Sequence, residues 1–460
     1  MKRTLSEFAR LAGGRLAGAD RAYSNVVSDT RKLAAGELFV ALRGSSFDGN
    51  EFVADAAAAG AAGAVVEREQ RVALAQIVVP DTQAALERAA RAWRAQFAGA
   101  VVGVAGSNGK TTAKEMLAAI LGEAGPCLAT RGNLNNHIGV PLTLLRLTGS
   151  ERFAVVEMGA NHAGEVAHLV EVARPTVGLI TNAGAEHLEG FGSLEGVARA
   201  EGEMVAGLTP ADTAVINADD AYAALWRDAT PARVVTFGVR ERADFRASDV
   251  EAAVGADGFT TRFRLTAPLG AAAIRLNLGG AHNVANALAA AAAAASAGAK
   301  LEHIVAGLSK VRAVPGRLQF RRAAGGGWLI DDSYNANPSS VRAAIEVLAG
   351  LPGRRWLVLG DMAELGAFAL DEHVRLGEFA REHGIERLYA SGPLSTRAAQ
   401  AFGAGAASFA DVPALIAALR AAVTAAGPEV RLLVKGSRFN RLERVIEALG
   451  SDGAQSAGSH

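Results

Sequence analysis

The chain is 460 residues long, half of them apolar and a fifth charged, with a formal net charge of zero, which is enough for roughly two to four globular domains. The neutral balance carries none of the basic excess that a nucleic acid or an anionic membrane surface calls for. A single cysteine, Cys127, rules out an internal disulfide and a cysteine-built zinc site, and is consistent with a reducing compartment.

The N-terminal run MKRTLSEFARLAGG lacks an apolar core of signal-peptide length, and the alanine run 287–295 is too short and too weakly apolar to span a bilayer. The expectation is a cytoplasmic protein without membrane insertion. Residues 1–97 read as a small mixed domain, with strands at 37–42 (ELFVAL) and 64–67 (AVVE), a helix at 52–62 between them and a second helix at 82–97. A second domain opens near residue 98. Its first element, 100–105 (AVVGVA), has the continuous β-branched and small apolar character of a buried parallel strand. A glycine-rich turn and a helix over 111–123 follow, with further strands at 153–157 and 177–181. Alternating strands and helices predict a parallel sheet covered on both faces. The stretch 244–278 alternates polar and apolar residues between turn signals, so antiparallel strands are predicted there, and 281–296 is an alanine-rich helix. A third, doubly wound domain begins near Val314-Pro315-Gly316, with strands at 328–331, 356–359, 387–390 and 432–434. The fold class is α/β in three domains: 1–97, 98–313 and 314–450. A small, polar tail, 451–460, is expected to be disordered.

Gly106-Ser107-Asn108-Gly109-Lys110-Thr111-Thr112 lies between a strand and a helix. In that context glycines let backbone N–H groups point at phosphate oxygens, and the helix N-terminus adds a favourable dipole. Lys110 is placed to reach the β- and γ-phosphates, and Thr111 to bind Mg²⁺. The full-length phosphate-loop pattern wants glycine six residues before the lysine. Val104 stands there, so this is a shortened variant.

The loop specifies a nucleotide; the reaction has to be read from other residues. Glu157 ends the strand FAVVE, and His187 follows another strand in Thr181-Asn182-Ala183-Gly184-Ala185-Glu186-His187. Carboxyl ends of strands are where doubly wound sheets bind ligands, so both are candidates to complete a Mg²⁺ site with Thr111. The bland readings, a capping acid and a structural histidine, weigh about equally. Asp331-Asp332-Ser333-Tyr334-Asn335-Ala336-Asn337-Pro338 opens a third-domain helix. A helix cap accounts for Ser333 or Asn337 but not for the whole polar run. Two similar loops, 360–366 and 435–438, follow strands.

Taken in order, these runs resemble the Mur ligase family of bacterial cell-wall synthesis over nearly the whole chain. Ser28-Asp29-Thr30-Arg31 and 36–42 resemble its UDP-sugar-binding part, and Gly106 to Thr112 its short phosphate loop. Glu157-Met158-Gly159 and His187 match its metal positions, Gly280-Ala281-His282-Asn283 with Asn286 its adenine-side helix, and Pro315-Gly316-Arg317 its junction to the third domain. The run Gly132-Asn133-Leu134-Asn135-Asn136-His137-Ile138-Gly139-Val140-Pro141 and the DDSYNANP run are the most specific; they favour the branch that adds a dipeptide over those that add one amino acid.

The resemblance implies a monomeric ligase that uses ATP and Mg²⁺ to join UDP-N-acetylmuramoyl-tripeptide to D-alanyl-D-alanine through an acyl phosphate. It implies ATP contacts at Gly106, Ser107, Asn108, Gly109, Lys110, Thr111, Thr112, His282, Asn283, Asn286, Arg317 and Asp332. Metal contacts are implied at Thr111, Glu157 and His187. Substrate contacts are implied at Ser28, Thr30, Arg31, Asn133, Asn135, Asn136, Asp332, Tyr334, Asn335, Asn337, Lys435 and Ser437. The three domains would bind the UDP-sugar, ATP and the dipeptide in turn. One position departs from the family. Fourteen residues after His187, where the family has a CO₂-carbamylated lysine, this chain has Glu201. Glu201 is expected to substitute for it, through a water to a second Mg²⁺; alternatives are an impaired position or a shift of Glu203 into the gap. Lys110, Glu157, His187 and Glu201 form the catalytic set. Two other readings compete, a folylpolyglutamate synthase-like ligase and a catalytically weak nucleotide-binding relative.

Overall fold

The structure, a computed structural model, describes residues 3–44, 46–255 and 258–451. Among these the strands form three sheets, spanning residues 15–78, 100–276 and 319–435. The tail expected to be disordered lies, from residue 452 on, outside the described residues.

The first sheet runs, edge to edge, Arg15–Ala17, Gln76–Val78, Gly63–Val66, Leu38–Val40 and Val26–Val27, with only the first strand antiparallel. The central sheet has nine strands. At its heart Ala100–Ala105 pairs in parallel with Phe153–Glu157 on one side and Val177–Ile180 on the other. From Val101 onward this strand is buried, as two-sided helix cover requires. The antiparallel stretch predicted from alternation is present as Phe245–Gly255, Gly258–Ala267 and Gly270–Leu276, extending one edge of the sheet. Two further parallel strands, Thr213–Asn217 and Arg233–Gly238, lie between this extension and the heart of the sheet. They are short apolar runs that periodicity does not separate from helix. The third sheet runs Gln319–Arg322, Trp328–Asp332, Val430–Lys435, Arg354–Gly360, Arg387–Ser391 and Ala406–Phe409, parallel except for its first strand.

The register of the central strands positions the site. Val104 pairs with Glu157, and Ala105 with Ile180, so three strands end level with one another. The chain continues to one side of Ala100–Ala105 first and returns on the other, which makes this strand's carboxyl end the switch point where such sheets bind ligands. The helix Ala281–Ser296 keeps its alanines from 287 to 294 buried, and these small side chains let it lie close on the sheet with its N-terminus at the same edge. Between the first and central sheets Arg94 donates to Ala173 O (2.8 Å), Phe97 O (2.9 Å) and Arg174 O (2.9 Å), satisfying backbone carbonyls at the end of a helix and in the following turn.

The helix Leu194–Ala206 is capped by Ser193 and turns Val197, Ala198, Ala200, Glu201, Met204 and Val205 inward. Its seating depends on Trp226, fully buried, whose indole Nε1 donates to Ala198 O at 2.8 Å and whose ring fills the space over Gly202. Trp226→Ala is expected to cost about 3–5 kcal/mol, with Trp226→Phe milder, read as a fall in the urea midpoint at constant m-value.

Candidate active site

The phosphate loop departs from Ala105 with Gly106 at φ 120° and re-enters a helix at Gly109, φ 85°. No side chain fits at Gly106: a Cβ there would sit 2.1 Å from Thr181 Oγ1 and 2.8 Å from Thr181 N. At Gly109 a Cβ would sit 2.2 Å from Asn286 Oδ1, so the alanine-rich helix closes directly over the loop. The loop backbone is pinned by the neighbouring strand end. Ser107 N donates to Asn182 O (2.9 Å) and Asn108 N to Asn182 Oδ1 (3.0 Å), while Asn108 O accepts from Thr181 Oγ1 (2.7 Å) and Asn182 Nδ2 (2.9 Å).

Lys110 donates to Gly106 O (2.6 Å) and Ser107 O (3.2 Å) and lies 3.5 Å from Glu186 Oε2. Burial works against its charge, but Glu186, Glu201 and Glu157 together hold its pKa above the ordinary lysine range. Burial likewise opposes the Glu186 carboxylate, and Lys110 and His187 outweigh it, leaving that group below the usual range.

Glu157 completes the loop's other flank. Its Oε1 accepts from Thr111 Oγ1 (3.2 Å) and Asn135 Nδ2 (2.9 Å), while Oε2 is buried with no hydrogen-bond partner. An orphaned carboxylate oxygen beside a threonine hydroxyl fits a divalent cation. Among the described residues no group of three or more histidine, cysteine or acidic side chains forms a cage for a metal. Thr111 Oγ1 also accepts from Arg317 Nη2 (3.1 Å), and the Arg317 guanidinium lies 4.6 Å from the centre of the Tyr334 ring.

His187 has left-handed backbone, φ 50°. Its Nε2 lies 3.4 Å from Glu186 Oε1, and its Nδ1 approaches Glu364 Oε2 of the third domain to 2.5 Å, out of line for a hydrogen bond. Burial opposes its charge, and the two carboxylates raise its pKa nonetheless.

These groups share one cavity of about 710 Å³ between the central and third domains. It is lined by Ser107 to Thr112, Asn133, Asn135, Asn136, Glu157, His187, His282, Asn283, Asn286, Arg317, Asp332, Tyr334, Asn335, Asn337 and Lys435, all singled out in the sequence. Lys435 donates to Asp332 Oδ2 (2.6 Å) and Asn335 O (3.0 Å), fixing the third-domain wall. Burial pushes the His282 imidazole down.

Six expected site residues lie off the cavity lining, Gly106 among them, its N–H turned to Glu201. Ser28, Thr30 and Arg31 lie beyond the first-sheet strand Val26–Val27 and do not line the cavity; Arg31 folds onto Asp29 at 2.8 and 3.0 Å. Ser437 spends its hydroxyl inside the third domain, donating to Ala336 O (3.2 Å) and accepting from Ala363 N (3.0 Å). Glu201 lies against the phosphate loop. Its Oε2 accepts from Gly106 N at 2.6 Å, it is 5 % exposed, and it is not part of the lining. Glu203 does not shift into the gap either, because its two oxygens accept from Gly164 N (2.7 Å) and Ala167 N (2.9 Å). Conversely Asn182, Glu186 and Glu364 belong to the site without having been singled out. The position of Asn182 just past a strand end was the available signal, and Glu364 lies in the 360–366 loop, a candidate run because it follows a strand, though no local pattern shows that it meets His187.

Three stretches match Mur ligase family descriptions: 22–98 the catalytic domain, 104–294 the middle domain and 316–438 the glutamate ligase domain. The UDP-N-acetylmuramoyl-tripeptide–D-alanyl-D-alanine ligase of Escherichia coli K12 is 46% identical over 452 residues, 98% of this chain and 99% of that protein. The crystal structure of MurF from Acinetobacter baumannii superposes with a TM-score of 0.90 at 35% identity, covering 99% of both chains. MurF ligase from Thermotoga maritima in complex with ADP gives 0.80 at 28%, over 94% and 98%.

Gly106→Ala is expected to abolish ATP binding in calorimetric titration while the rest of the fold survives, since its Cβ meets Thr181. Glu201 gives a second expectation. Burial pushes its carboxyl up to about 7 from 4.5, so the folded parent binds the extra proton between those values and loses stability as pH rises through them. Glu201→Gln removes that slope. Its stability relative to the parent should rise from about pH 4.5 to about pH 7 and level off above, in melts across the range.

Proposed function

This chain belongs to the Mur ligase family, and on that premise we propose which of its residues carry the family's chemistry. The protein is an ATP-dependent ligase that forms a peptide bond between UDP-N-acetylmuramoyl-tripeptide and D-alanyl-D-alanine in peptidoglycan precursor synthesis. The folylpolyglutamate synthase-like reading is not favoured. The observation that supports the residue assignments is the single cavity, with the phosphate loop and the orphaned Glu157 oxygen on one wall and the DDSYNANP loop on the other.

A carboxylate is a poor acyl donor because it has no adequate leaving group. The terminal carboxylate oxygen of the tripeptide attacks the γ-phosphorus of ATP, ADP departs, and the acyl phosphate results. The dipeptide amine then attacks the acyl carbon, the bond to the phosphate oxygen breaks, and inorganic phosphate leaves with the amine's proton passed to solvent or a nearby base. Loop N–H groups and Lys110 offset the charge that builds on the transferring phosphoryl group. Glu157 and Thr111, with His187, would hold Mg²⁺, which supplies further neutralisation of the phosphate oxygens when bound. His282, Asn283 and Asn286 supply the wall facing the nucleotide, and Arg317 ties Thr111 to the third domain. Tyr334, Asn335 and Lys435 face the incoming dipeptide. Ser28, Thr30 and Arg31 take the UDP end, at a distance from the reacting groups.

Glu201 acts in this reading by holding the first loop amide, and glutamate cannot be carbamylated, so no CO₂ is needed. No helix among the described residues is long and apolar enough to cross a membrane; the ligase reading places the enzyme in the cytoplasm, as a monomer.

Phosphate release from ATP and Mg²⁺ should require both the UDP-tripeptide and D-alanyl-D-alanine and yield a UDP-pentapeptide by mass. Release without the dipeptide product would favour a weak nucleotide-binding relative. Lys110→Met should lower kcat by about 10²–10³, and removing bicarbonate and CO₂ from the assay should leave the rate of the parent unchanged.

A further inference from the structure

Asn108 stands out in the phosphate loop because its backbone and its side chain serve different domains. The backbone is fully engaged within the central domain, through Asn182 and Thr181, so the side chain is not needed to shape the loop. The side-chain amide is spent on the third domain. Its Oδ1 accepts from Asn337 Nδ2 at 2.8 Å, and its Nδ2 donates to Ser339 Oγ at 3.1 Å. Ser339 Oγ in turn donates to Asn337 Oδ1 at 3.0 Å, closing a ring of three side chains.

The orientation of every group in that ring is forced. Asn337 caps the helix Pro338–Ala349 with its Oδ1 accepting from Ser340 N at 2.8 Å. Only its NH₂ is left for Asn108, which must therefore present its oxygen there and its own NH₂ to Ser339. Beneath the ring Gly184 leaves no spare room: a Cβ there would lie 2.6 Å from Asn108 Nδ2 and 2.7 Å from Ser339 Oγ. The start of a third-domain helix is thus bolted to the residue between Ser107 and Gly109 in the phosphate loop.

We propose that Asn108 is a positioning residue that couples docking of the third domain to the phosphate loop, so that the acyl phosphate is sealed from water while the dipeptide attacks. This rests on the ligase reading above. Two hydrogen bonds of this kind shift the balance between docked and undocked domains by roughly tenfold. When the bridge is missing, the cavity opens more often with the intermediate still in it. Water oxygen then attacks the acyl carbon, the bond to the phosphate oxygen breaks, and tripeptide carboxylate and inorganic phosphate are released with ATP consumed and no peptide made.

The test measures phosphate released per peptide bond formed, together with ATP affinity, for the full-length parent, Asn108→Ala, Ser339→Ala and the double variant. The parent should give a ratio of one. Asn108→Ala, which removes both bonds, should give a ratio of at least about two; Ser339→Ala, which removes one and leaves the bond from Asn337 to Asn108, should give a smaller rise above one with ATP affinity within about threefold of the parent; and the double variant should be no worse than Asn108→Ala, which already lacks both bonds. Ser339→Ala keeps the loop sequence intact, so misfolding of the loop in Asn108→Ala does not leave the question open. A ratio of one in both variants overturns the inference. So does a loss of ATP affinity in Asn108→Ala that matches its loss of peptide formation while Ser339→Ala behaves as the parent, because Asn108 would then be a nucleotide contact alone. A parent that makes no peptide fails the ligase reading instead.

Discussion

The structure depends on how closely the backbone at Gly106 approaches the end of the neighbouring strand. With φ 120° and no room for a Cβ beside Thr181, the loop leaves the sheet at an angle that only glycine adopts without strain. The phosphate loop and the groups it touches take their position from that turn. The turn presents the loop amides at the sheet edge, sets Lys110 at the start of its helix and brings Thr111 against Glu157. It also leaves Gly106 N pointing inward, where Glu201 meets it. The level strand ends at Ala105, Glu157 and Ile180 are the scaffold that makes the turn useful, because they deliver groups from separate parts of the chain to one edge.

Charge is the second constraint. Lys110 faces Glu186 and feels Glu201 and Glu157, so a single ammonium balances several buried carboxylates before any ligand arrives. The carboxylates are not equivalent. Glu186 is held ionised by Lys110 and His187, while burial drives Glu201 the other way, to about 7. A polyanionic nucleotide entering such a site needs added positive charge, and the unpartnered Glu157 oxygen marks where a divalent cation would supply it.

The third domain completes the site from the opposite side. Polar contacts that reach across include Asn337 and Ser339 to Asn108, Arg317 to Thr111, Glu364 to His187, and Glu189 N to Glu364 O (3.1 Å). The loop that carries Glu364 is itself rigidly built. Met362 N donates to the buried His373 Nε2 (3.0 Å), Ser437 N donates to Asp361 O (3.1 Å), and Asn440 bonds both the N–H and the carbonyl of Asp361. Ser437 belongs to that internal bracing. A rigid loop touching a strained histidine suits a site assembled by docking two finished domains rather than by folding a flexible lid over one.

Local pattern in the sequence determined the elements whose character is set by their own residues. The strand 100–105, the loop after it, the alanine-rich helix 281–296 and the strand ending at Glu157 were legible because burial on two faces, glycine placement and helix composition leave local marks. Thr213–Asn217 and Arg233–Gly238 were not, because a short apolar run looks the same in either kind of element. Most of the cavity wall was also legible, through polar runs just past strand ends and the family resemblance they carry. Tertiary structure alone decided what each polar atom does. It turned Glu201 toward a backbone N–H, closed the Ser437 hydroxyl into its own domain, left one oxygen of Glu157 bare, and brought Glu364 to His187 and Asn337 to Asn108 from far along the chain. Hydrogen-bond partners separated by a hundred or more residues are fixed by how sheets dock, and no local pattern records that docking.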